Sequence, residues 1–145
     1  MLFRSIFADT FNTNFEPDNL HAAVDVLTAL GYRVSAIGAG GGRAVCCGRT
    51  FLSAGLVEEA RREASRFIDA VRPFAERGVP IIGLEPSCLF TLKDEFPSLL
   101  PGEATAGIAP LAYLFEDFIA AEIDAGRIKG KIAKQIGRAS CRERV

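Results

Sequence analysis

Leu2-Phe3-Arg4-Ser5-Ile6-Phe7-Ala8, then Pro17-Asp18-Asn19-Leu20 onward to Gly31, then Tyr32-Arg33-Val34-Ser35-Ala36-Ile37 read as one unit, and that unit sets the fold class. The first run is apolar, rich in Phe and Ile, and bounded by Asp9-Thr10, which predicts a buried strand. Phe11 to Glu16 reads as a polar loop carrying two aromatics. Pro17 suits a first helical turn, and Asp18 suits its positive end. Leu20, Ala23, Val24, Leu27 and Leu30 recur at spacings of three and four, giving one apolar helix face. Gly31 stops the helix and Tyr32 to Ile37 is a second strand. A strand, a helix and a strand so joined form a right-handed crossover in a parallel sheet.

The remainder continues the alternation. Leu56 to Arg77 predicts the longest helix, with Val57, Ala60, Ala64, Phe67, Ile68, Val71, Phe74 and Ala75 as its apolar stripe. Glu58, Glu59, Arg61, Arg62, Glu63 and Arg66 are read as lying off that stripe, and Pro73 as a kink. Val79 to Leu84 is a third strand, Leu89 to Phe96 a short helix, Gly102 to Gly107 a linker, and Ile108 to Ala125 a final amphipathic helix. The expected architecture is a Rossmann-like three-layer α/β fold, a short parallel sheet with flanking helices. The glycine run from Gly38 to Gly42 does not fit G-x-G-x-x-G and reads as a loop.

The chain has 145 residues, 49% of them apolar and 24% charged, with a formal net charge of −1. That balance gives no electrostatic footprint for nucleic acid. No run of apolar residues is long enough to cross a membrane, and the start does not read as a signal peptide, so a cytoplasmic location is expected. In that setting four cysteines point to metal ligation or catalysis rather than to a disulfide framework. Residues 136–145, with Cys141, resemble the translation of a sequencing-library adapter, so they are set aside as an artefact of a shortened coding sequence. Residues 128–135 are then a basic linker, and residues 1–127 the domain.

Three cysteines remain. Cys46 and Cys47 precede Gly48, whose freedom allows a sharp turn. Cys88 follows the third strand in Glu85-Pro86-Ser87-Cys88, where ligands of open α/β sheets gather. Three thiolates suit an iron–sulfur cluster, or zinc with a fourth ligand from elsewhere. Glu85 is a candidate oxygen ligand. The bland alternative is that buried cysteines are small core hydrophobes. Asp9 and Asn14 either line the site or cap a helix, and His21, the single histidine, reads as a surface residue. Arg49, beside the thiols, favours a thiolate, which admits a third reading as a thiol-redox enzyme.

Phe7-Ala8-Asp9-Thr10-Phe11 with Asn14-Phe15-Glu16-Pro17, Cys46-Cys47-Gly48-Arg49-Thr50, and Gly83-Leu84-Glu85-Pro86-Ser87-Cys88-Leu89 together resemble the cysteine-rich "CCG" domain of iron–sulfur oxidoreductases. That group includes the cysteine-rich subunit of heterodisulfide reductase and the iron–sulfur subunits of anaerobic glycerol-3-phosphate dehydrogenase and glycolate oxidase. The likeness is nearest to the C-terminal part of fused proteins that carry an FAD-linked oxidase domain. The resemblance implies that Cys46, Cys47 and Cys88 ligate a [4Fe-4S]-type cluster, with Glu85 where the family has a further cysteine. It implies an electron-transfer module serving an FAD-linked oxidation of a 2-hydroxy acid such as D-lactate or glycolate, inactive alone. Its partners would be the FAD-containing oxidase domain and a second cysteine-rich repeat, of which this chain is the truncated first half. Through them it would sit peripherally at the inner face of the membrane. Two family cysteines are missing, one upstream of Cys46 and one at position 85. The alternative is a zinc-binding or metal-free structural or docking domain.

Overall fold

A computed structural model describes residues 2–38 and 43–128. Residues 39–42, residues 129–135 of the expected 128–135 linker, and residues 136–145 with Cys141 lie outside the described residues, while Ile128 is described and packs in the core. β1 (Phe3–Phe7), β2 (Arg33–Ile37), β3 (Ile81–Gly83) and β4 (Ala112–Leu114) form one sheet in the order β2-β1-β3-β4, every pair parallel. The register pairs Phe3 with Arg33 through Phe7 with Ile37, and Ser5 with Ile81. The α/β class and the first β–α–β unit are as the sequence reads.

Helices cover both faces, as a parallel sheet requires. On one face, α2 (Pro17–Ala29) and α8 (Phe115–Asp124) close a core of Leu27, Tyr32, Ile82, Phe118, Ile119 and Ile128. The other face carries α3 (Arg49–Ser53), α4 (Val57–Ala75) and the run α5 (Pro86–Asp94), α6 (Phe96–Leu99) and α7 (Glu103–Ile108). Phe67 of α4 is central there, edge-on to Phe7 at 4.8 Å and to Phe96 at 5.6 Å between ring centroids. Among the described residues no helix is long and apolar enough to cross a membrane.

Three expectations are corrected. The linker over Gly102 to Gly107 is α7, whose Thr105 hydroxyl donates to the carbonyls of Leu100 and Gly102. The long helix over Ile108 to Ala125 is a 3₁₀ turn (Ala109–Leu111), then β4, then α8. Pro110 sits in that turn and lacks the N–H that a continuous helix needs. The loop from Phe11 to Glu16 is largely α1 (Thr10–Asn14), because Asp9 caps it: its Oδ1 accepts from the N–H groups of Phe11 and Asn12 at 2.9 and 3.0 Å.

The strand order reverses between β1 and β3. Their carboxyl ends therefore open onto a crevice, the place where such sheets bind ligands. The chain following β1 begins at Ala8-Asp9-Thr10, and that following β3 at Leu84-Glu85-Pro86.

Candidate thiol site

Three connections meet at that crevice. The chain following β2 returns as Val45-Cys46-Cys47-Gly48 and enters α3. Gly48 caps α3 in the left-handed region, at φ +81°, where a side chain is disfavoured. It also lies against α4, so a Cβ at position 48 would stand 3.0 Å from the Ala60 carbonyl oxygen. The turn after the cysteine pair is thus pressed onto the body of α4. Cys88 arrives by another close approach. At Gly83, the last residue of β3, a Cβ would fall 2.8 Å from Leu89 Cδ1, so α5 starts tightly over the strand end. Glu85 caps α5, its Oε1 accepting from the N–H and hydroxyl of Ser87 at 3.2 and 2.7 Å.

Cys46, Cys47 and Cys88 line one cleft of about 190 Å³ with Thr10, Phe11, Arg49, Thr50, Ser53 and Ser87. Cys47 and Cys88 are 2% and 3% exposed; Cys46 is half-buried. All three are free thiols. The Cys46 and Cys47 side chains are hydrogen-bonded to each other, and Cys47 is likewise bonded to Cys88. One donor is aimed at the pair. The Gly48 N–H donates to Cys46 Sγ at 3.4 Å, and Thr10 lines the same cleft.

This environment keeps the Cys46 and Cys47 thiols protonated. The bond to Cys47, with burial second, pushes the Cys46 thiol well up. For Cys47 the bond to Cys46 acts downward. The bond to Cys88 and burial outweigh it, and the thiol is pushed up to about 12. The guanidinium of Arg49 is engaged with Glu95 at the end of α5, so it is not the free cation that the sequence suggests. A nucleophilic thiol-redox enzyme needs a lowered pKa, and the opposite is found.

The other candidates separate. Asp9 is buried and commits both oxygens locally, Oδ2 accepting from Asn12 Nδ2 at 2.8 Å, so of its two readings the cap holds. Asn14 donates to the Thr10 carbonyl from the surface, and His21 is exposed on α2. Glu85 lines an adjoining cleft of about 410 Å³ with Phe11, Asn12, Phe15, Glu16, Asn19 and Leu84, not the thiol cleft. Among the described residues, no group of three or more His, Cys, Asp or Glu side chains converges closely enough to hold a metal ion as the thiols now stand.

Glu63 escapes the sequence reading, which sets it off the apolar stripe of α4; in the fold it is 3% exposed. Its Oε1 accepts from Arg43 Nη2 and its Oε2 from Arg66 Nη1, each at 2.7 Å. A signal for this exists in the sequence: Glu63 stands three residues after Ala60 and four before Phe67, which is stripe spacing.

Over 78 residues the chain is 30% identical to a subunit of the anaerobic glycerol-3-phosphate dehydrogenase of Escherichia coli (strain K12), and equally to its counterpart in Escherichia coli O157:H7. The match covers 53% of this chain but 19% of each relative, so the chain spans about a fifth of the curated proteins it resembles. No family model and no solved structure matches.

Proposed function

We propose that this chain is an electron-transfer module of a larger oxidoreductase, in which Cys46, Cys47 and Cys88 are thiolate ligands of a [4Fe-4S]-type iron–sulfur centre. The observation that carries this is the meeting of three thiols, from two separate connections, in one cleft at the switch point of a parallel sheet. The donor chemistry suits the group: soft sulfur ligands, with a backbone N–H of the kind that tunes such centres already directed at Cys46. Cys46, Cys47 and Cys88 would hold the group as thiolates, so binding it would release their thiol protons. Three sulfurs leave the ligand set short. Glu85, the candidate oxygen ligand, faces the neighbouring cleft with one oxygen committed to its cap, so the reading rests on the sulfurs.

The named relatives are subunits of a dehydrogenase, which supports oxidoreductase work alongside partners. Their name specifies glycerol 3-phosphate. The finer reading, an FAD-linked oxidase domain acting on a 2-hydroxy acid with a second cysteine-rich repeat downstream of residues 1–127, rests on the sequence resemblance alone. So does a peripheral placement at the inner face of the membrane. Anaerobic reconstitution of the full chain with iron and sulfide tests the proposal. A broad visible absorption band that Cys47→Ser abolishes is the expected result, and a colourless wild-type protein refutes it.

A second reading has its own support. Cys47 and Cys88 belong to the continuous core beside Phe67 and Leu89, and the thiols satisfy one another without metal. A metal-free structural domain predicts that Cys88→Ala costs stability and nothing else, and that neither iron–sulfur nor zinc binds stoichiometrically.

A further inference from the structure

We infer that Glu63 is a positioning residue for the cysteine pair: from inside α4 it fixes the strap of chain that carries Cys46 and Cys47, by holding Arg43 and Arg66 against that strap's upstream end. The carboxylate is buried and bridges two guanidiniums, each contact 2.7 Å. Arg43 belongs to the strap itself. Arg66 belongs to α4, and its Nη2 donates to the carbonyls of Arg43 and Ala44 at 2.8 and 3.4 Å. The downstream end is fixed by another means, the approach of Gly48 to Ala60, and the position of a Gly48 Cβ would lie 3.5 Å from Glu63 Cβ. Glu63 thus sits beneath a span anchored at both ends, with the two cysteines between the anchors.

Charge explains why an acid occupies that place. Arg66 faces the strap's carbonyls and Arg43 stands on the strap itself, so two cations meet there and need a compensating anion, and a buried carboxylate persists only when fully paired. With Glu63 neutral, Arg66 loses the partner that orients its fork, and the carbonyls at 43 and 44 lose their donor. The upstream end is then released while Gly48 holds. Cys88, delivered by α5, does not depend on this clamp.

The clamp rests on the geometry, and its relevance to a metal centre rests on the proposed function; two measurements separate them. The first is native-state maleimide labelling of the full chain, read cysteine by cysteine by mass spectrometry. Glu63→Gln is expected to speed labelling of Cys46 and Cys47 by about tenfold or more, as local opening becomes easier, with Cys88, held by α5, speeding up several-fold less. Arg43→Gln removes a guanidinium whose side chain is 67% exposed, so it spares the core. It is expected to speed the same two cysteines a few-fold. Glu58→Gln, on the exposed side of α4, leaves all rates unchanged. If the three cysteines speed up together, Glu63 acts on global stability and the inference falls; if none does, it also falls. The second measurement is cadmium titration, followed by the sulfur-to-metal charge-transfer band. Glu63→Gln should bind about ten- to a hundredfold more weakly, the usual effect of losing a partner behind a ligand. A wild type with no cadmium band would sink the metal reading and leave the labelling result to decide on Glu63.

Discussion

Replacing Gly48 by alanine isolates the contact that seats the cysteine pair. Two costs are separable. The first is conformational: at φ +81° a residue with a Cβ loses about 1–2 kcal/mol relative to glycine. The second is steric. The new methyl would lie 3.0 Å from the Ala60 carbonyl oxygen and 3.3 Å from its Cα, both backbone atoms in α4, with no flexible side chain to yield. Overpacking of that kind costs about 1–3 kcal/mol. Gly48→Ala should therefore destabilise by about 2–5 kcal/mol. Gly78→Ala is the internal control, because Gly78 has φ +64° with open space where its Cβ would go, so it carries the conformational cost alone, about 1–2 kcal/mol. Urea unfolding followed by circular dichroism, extrapolated to water with a common slope, measures both. If the two variants agree within about 0.5 kcal/mol, the seating of the turn on α4 is wrong.

Three further outcomes are expected. Glu122 accepts from Arg4 Nη2, Tyr32 Oη and both Arg127 donors, and the Arg127 guanidinium above all holds its carboxyl at about 2, against an ordinary 4.5. A lowered carboxyl pKa contributes stability that is present above 4.5 and is lost as pH falls from 4.5 toward 2. At about 1.4 kcal/mol per pH unit the ceiling is about 3 kcal/mol, reduced to about 1–2 because Arg127 is half exposed to solvent. Wild type should lose that increment over this range and Glu122→Gln should not; parallel pH profiles would count against the network. Phe67→Ala should cost about 3–5 kcal/mol in urea unfolding, since the ring bridges Phe7 and Phe96 at full burial. Gly83→Ala meets only the Leu89 side chain, so it should cost less than Gly48→Ala, about 1–2 kcal/mol, as differential scanning calorimetry would show.

What can be read in advance follows from length and period. β1, α2 and β2 announce themselves because each is long enough to show its repeat and is bounded by Asp9, Pro17 or Gly31. β4 is three residues, Ala112-Tyr113-Leu114, too short to show alternation, and it runs into Phe115, Phe118 and Ile119, whose spacing is helical. Its strand character comes from pairing with Ile81 to Gly83, a partner far away in sequence. α1 depends on one side chain, Asp9, acting as its cap. The cysteines can be read as a set because their neighbours, Gly48 and Pro86, signal a turn and a helix start. The protonation of Cys46 and Cys47 cannot, since it comes from how deeply the pair is packed and from which sulfur each one touches. Glu63 and Glu122 share one lesson: an acid at the spacing of an apolar stripe is buried with its cations. Glu122 stands four residues after Phe118 as Glu63 stands four before Phe67.

The seat of the cysteine turn has a consequence for biosynthesis. The turn leaves the ribosome before α4, the helix it rests on, so the pair emerges unshielded and is covered once that helix has formed. The third thiol comes later still, and can join only after β3 has slipped in beside β1 and α5 has wound over Gly83. The sulfur set is therefore complete in the growing chain only once α5 has been made, with β4 still to come. A nascent chain halted before β3 would hold two thiols on a helix and no cleft, which would leave any metal-loading machinery nothing to act on until β3 and α5 were in place.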